Sequence, residues 1–80
     1  MENKIAIIGV IVSDKNAVET VNAVFHEFRD YIIGRQGLPY KPKNINIINV
    51  VLDAPQETIN SLSGKLGMIS GVKSKVMLTK

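Results

Sequence analysis

The stretch Lys4-Ile5-Ala6-Ile7-Ile8-Gly9-Val10-Ile11-Val12 is apolar and rich in β-branched residues, the composition of a strand buried in a sheet. It stops at the polar Ser13-Asp14-Lys15-Asn16, where Asn16 and Glu19 have the spacing of a helix capping box. Val18, Val21, Phe25 and Phe28 then recur at helical intervals, with Ala17 and Val24 widening the stripe, so a first helix is expected from about residue 17 to 30. Tyr31 to Leu38 follows as a strand whose Gly34 and Gly37 point to a bulge or a close backbone approach. Turn chemistry fills Pro39-Tyr40-Lys41-Pro42-Lys43-Asn44, and Ile45 to Leu52 is a second strongly apolar strand. Asp53 is placed to cap a second helix with Pro55 in its first turn and Gln56 completing the box. Ile59, Leu62 and Leu66 face inward from it, Gly67 suits a left-handed terminator, and Val72 to Leu78 forms a last strand.

Strand, helix, strand, strand, helix, strand makes two β-α-β halves. Right-handed crossovers leave a gap in each half that the other fills. The expected fold is therefore α+β, a ferredoxin-like β-α-β-β-α-β sandwich over residues 1–80. Its antiparallel sheet runs in the spatial order fourth, first, third, second, with both helices on one face. That arrangement leaves the second face bare, and bare faces alternate apolar with polar. Here they do not: Ala6, Ile8, Val10 and Val12 can serve the helices, yet Ile5, Ile7 and Ile11 fall on the other side. On the third strand Ile45, Ile47 and Val51 do the same, with Asn49 between them positioned to set register across an interface. Contiguous apolar patches of that kind mark association surfaces. Lys73 and Lys75 would form their polar rim.

Composition points the same way. Eighty residues form one small domain that buries little surface by itself, and with no cysteine and one histidine neither disulfides nor a thiolate metal site can staple it. Association into a dimer or tetramer is the remaining remedy. A net charge of +3 describes an ordinary solvated surface. The apolar start is too short for an export signal or a membrane span, so a cytoplasmic protein without membrane attachment is expected.

Most chemistries that this topology hosts find no residues here. RNA-recognition sheets stack bases on aromatic side chains of the central strands, and these strands have none. Heavy-metal-associated domains need a Cys-x-x-Cys pair. The acylphosphatase arrangement wants an arginine in the loop after the first strand, where this chain has Ser13-Asp14-Lys15, although Asn46 and Asn49 are present; a hydrolase of that kind is a remote alternative. Neither Gly64-Lys65 nor the glycines around Arg35 has phosphate-loop spacing. A single histidine supports no catalytic triad, and both helices are spent on the sheet, which leaves no element for direct nucleic-acid binding. Two local features remain. His26 and Asp30 are four residues apart and could supply half of a metal site that an oligomer completes. Arg35 and Tyr40, on the glycine-containing strand, could meet an anionic ligand or partner.

The segments IAIIGVIV (5–12), HEFRDY (26–31), GRQGLPY (34–40), INIINVVLDAP (45–55) and SGKLGMISGVKSKV (63–76) resemble those of short stand-alone ACT-type proteins assigned as regulators of the iron-only hydrogenase system. The similarity runs over essentially the whole chain. It implies a ferredoxin-like fold, an oligomer, and a regulatory or ligand-sensing role without catalysis. The architecture is also similar to the sensing half of nickel-responsive repressors, which binds metal through several histidines and a cysteine, whereas His26 stands alone here. ACT domains hold small molecules at subunit interfaces near the loop after the first strand, which makes Ser13 and Asp14 candidate ligand contacts. No cofactor is indicated. The expected function is a non-enzymatic sensor domain with a small ligand or a metal at a subunit interface; the alternative is an interaction module or assembly factor without a ligand.

Overall fold

The computed structural model describes residues 2–79. Strands β1 (Asn3–Val12), β2 (Ile32–Tyr40), β3 (Ile45–Pro55) and β4 (Val72–Leu78) form one antiparallel sheet in the order β2-β3-β1-β4. Helices α1 (Val18–Glu27) and α2 (Gln56–Gly67) fill the crossovers and cover one face. The expected α+β fold and strand order are therefore present. Ile8, Val10 and Val12 of β1 and Val50 and Leu52 of β3 are fully buried beneath Val21 and Phe25 of α1 and Ile59, Leu62 and Leu66 of α2. No polar side chain is buried among the described residues, so this layer is held by apolar burial alone.

The element ends differ from the sequence expectation, each for a local reason. α1 is shorter, because 3-10 turns at Lys15–Ala17 and Arg29–Tyr31 take up its flanks. Asp14, rather than Asn16, caps the entry by accepting from the Asn16 amide at 2.9 Å. The Phe28 amide is shared between the Val24 and Phe25 carbonyls, at 3.3 and 3.1 Å, and the chain tightens there. Asp53 does not cap α2, because β3 continues to Pro55 and Asp53 pairs with Ile5. The Gln56 side chain instead accepts from Lys4 Nζ and donates to Asn60 Oδ1, both at 3.0 Å. β2 runs through Pro39 and Tyr40, since an edge strand tolerates a missing amide.

Gly34 and Gly37 have open space where a Cβ would stand, so no close approach requires them. The bulge reading holds: Ile32 pairs with Leu52 and Gly34 with Val51, leaving Ile33 as the extra residue. Gly67 is the last helical residue rather than a left-handed terminator. The reversal comes at Gly71, with φ +80°, where an added Cβ would lie 2.6 Å from the Cβ of Asp14. Gly71→Ala should therefore cost about 2–4 kcal/mol, from left-handed strain plus a backbone-anchored clash. Gly37→Ala should be neutral or slightly stabilising. Thermal melts of the two variants check the contrast.

Candidate functional site

The helix-free face is ordered by the strand register. One row across the sheet reads Leu38, Ile47, Ile11, Lys73; the next Gln36, Asn49, Gly9, Lys75; the third Gly34, Val51, Ile7, Met77. Tyr40 beside Ile45 and Asp53 beside Ile5 close its two ends. Every side chain expected on this face is there, with the lysines on its β4 margin. Ile7 and Ile11 are 43% and 45% exposed, Leu38 54% and Met77 68%, values far from those of a core. At the centre Gly9 has no side chain, and the Asn49 amide oxygen reaches to 3.6 Å from the position its Cβ would take. The result is a shallow depression of about 670 Å³, bordered by Ile11, Ile47, Asn49, Lys73 and Lys75.

A second concavity, of about 310 Å³, lies on the helix side at the β2 edge. Asn22, Phe25, His26 and Arg29 line it from α1 and the turn that follows, and Ile32 and Arg35 from β2. The Arg35 guanidinium stacks over the Phe25 ring at 5.0 Å from its centroid and donates to Asn22 Oδ1. Arg29 Nη1 donates to the His26 carbonyl at 2.9 Å.

The structure separates residues that the sequence grouped. Arg35 pairs with Val50 and Tyr40 with Ile45, so the arginine is on the helix side and the tyrosine on the bare face. The helix has ended before Asp30, so the four-residue spacing from His26 does not place the two side chains on one helical turn. Among the described residues no group of three potential metal ligands converges. Ser13 is tied to the start of β4: its amide and hydroxyl both donate to the Gly71 carbonyl, at 2.8 and 3.1 Å, and Asp14 packs against that glycine. Sequence reasoning missed Asn22 and Phe25 as partners of Arg35, Arg29 as a lining residue of the same concavity, and Gln36, Leu38 and Met77 on the bare face. Strand alternation counted on the correct side of Ile33 would have found the β2 members.

A four-stranded antiparallel sheet in this order with both helices on one side defines a ferredoxin-like domain. Solved structures at low identity share this fold. One is the C-terminal domain of the MgtC protein from Mycobacterium tuberculosis, with TM-score 0.70, 17% identity, and 96% of this chain against 88% of that one. Another is a formyltetrahydrofolate deformylase from Pseudomonas putida KT2440, with TM-score 0.65, 13% identity, and 91% of this chain against 28% of that one. The chain belongs to the TM1266-like family, described as "Iron-only hydrogenase system regulator, putative", whose model matches residues 4–76. The structure of uncharacterized protein TM1266 from Thermotoga maritima aligns at 39% identity with TM-score 0.94, over 99% of this chain and 100% of that one. No curated protein matches the chain. No helix among the described residues is long and apolar enough to cross a membrane.

Proposed function

We propose that this chain is a non-enzymatic regulatory domain of the iron-only hydrogenase system that acts as a homo-oligomer, with the bare sheet face as the contact between copies. The observation that carries the reading is the patch of exposed aliphatic residues Ile5, Ile7 and Ile11 with partly buried Ile47 and Val51, extended by Leu38 and Met77. Shielding what each such side chain still exposes yields about 1 kcal/mol on average, so the face as a whole supplies roughly 5–10 kcal/mol. That is of the order of what association costs, about 4–15 kcal/mol. Two sheets packed face to face about 10 Å apart would interdigitate these residues. The depression at Gly9 and Asn49, rimmed by Lys73 and Lys75, would then lie inside the assembly as a place for a small ligand. A metal there would need ligands from more than one copy.

Size-exclusion chromatography with light scattering tests the association. A dimer or tetramer is the expected result. A stable monomer at micromolar concentration would overturn self-association and leave the face to a different protein, which is the interaction-module reading. The hydrolase reading has the least support, because Asn46 and Asn49 fall on opposite faces of β3 and no arginine stands in the Ser13-Asp14-Lys15 loop.

A further inference from the structure

We propose that the groove between α1 and β2 binds a small molecule through an oxyanion group, a carboxylate or a phosphate, held by Arg35 and Arg29. The site rests on the regulatory reading for its purpose, since it gives the regulator a ligand class, but not for its chemistry. Neither arginine has a carboxylate partner: among the described residues the ion pair is that of Lys65 with Glu27. Both are nevertheless held in place. Phe25 forms a plate beneath the Arg35 guanidinium, and Asn22 takes one of its protons. The His26 carbonyl takes one from Arg29. A guanidinium offers five N–H donors in a rigid fork, so most of each fork stays available.

Pinned arginines lose little freedom when they grip a ligand, and paired forks suit a planar or tetrahedral oxyanion. The carbonyl end of α1 opposes a nearby anion, and Arg29 offsets that by sitting on the exposed His26 carbonyl. Partly exposed Ile32 gives the lining an apolar edge, so the ligand would carry a hydrocarbon part beside its charge. A purely structural clamp of β2 onto α1 would use Arg35 and Asn22 but would have no need of Arg29. The groove lies on the opposite side of the sheet from the proposed contact face, so the two surfaces can be tested separately.

The test is a titration of the labelled full chain, followed by the side-chain N–H signals of Arg29, Arg35 and Asn22 in NMR. Inorganic phosphate and benzoate are the probes, with potassium chloride at matched ionic strength as the reference. Saturable shifts with phosphate, benzoate or both, absent with chloride, are expected, and the stronger probe tells which oxyanion the site prefers. R35Q and R29Q should each weaken that binding about tenfold or more, the usual loss for a charge-assisted hydrogen bond. R35K should lose several-fold because it keeps the charge without the fork. Light scattering on the same samples should show an unchanged oligomer, so failure here and failure of the assembly are distinct results. A response equal to chloride, no saturation by about 20 mM, or saturable shifts that survive R29Q in a native-like spectrum would each overturn the proposal.

Discussion

Ile7→Lys is expected to turn the oligomer into monomers without unfolding the subunit. Ile7 pairs with Val51 on one side and Met77 on the other, in the interior of the bare face, and is 43% exposed in a single copy. In a lone subunit a lysine there keeps its charge in water and lays its stem along the neighbours, so stability should change by only about 0.5 kcal/mol. Between two copies the same charge is trapped in hydrocarbon. Lost burial and the desolvation of an unpaired ammonium together come to roughly 5 kcal/mol, a weakening of the order of a thousandfold or more. Ile47→Lys, two rows away beside Ile11 and Leu38, should act in the same way. Light scattering reports the mass and circular dichroism the fold. An oligomer that persists in both variants would remove the bare face as the contact.

Phe25→Ala should have the largest effect on the subunit itself. The ring is 1% exposed and packs among the two helices and the sheet, so truncation leaves a cavity costing about 3–5 kcal/mol. Domains of this size have little more than that to lose, and the melting temperature should fall by roughly 20 °C or the chain should be unfolded at 25 °C. Phe25→Leu refills most of the space and should cost only about 1–1.5 kcal/mol. It also removes the plate under Arg35. In that variant the fold should survive while the phosphate or benzoate titration weakens, a divergence that urea unfolding and NMR together would display.

The sheet was legible because its signals were redundant. β1 and β3 are apolar at nearly every position, each helix carries a clear stripe, and handedness leaves one strand order for such a sequence of elements. The caps were harder to read, since several polar residues competed for the same amides. Asp14 outcompeted Asn16 because the turn before α1 begins two residues earlier, at Lys15, and Asp53 was lost to the strand because β1 is long enough to pair with it. The candidate sites suffered more. Arg35 and Tyr40 looked like companions, but they are five residues apart in a regularly paired stretch and so take opposite faces; the bulge at Ile33 decides which face each one takes. An isoleucine reads equally well in either phase, so periodicity alone carries no mark of the bulge.

That inserted residue acts as a sorting device. Were Ile33 paired with Val51 and not bulged out, Arg35 would stand opposite Asn49, a cation planted in the middle of the oily side, and the groove would lose its anchor. With the bulge, charge is delivered to one surface and grease to the other from a single strand. Related chains that lack a residue between Phe28 and Gly34 would pair straight through, with Gly34 still opposite Val51 and Arg35 still opposite Val50, and should therefore keep both surfaces without a bulge.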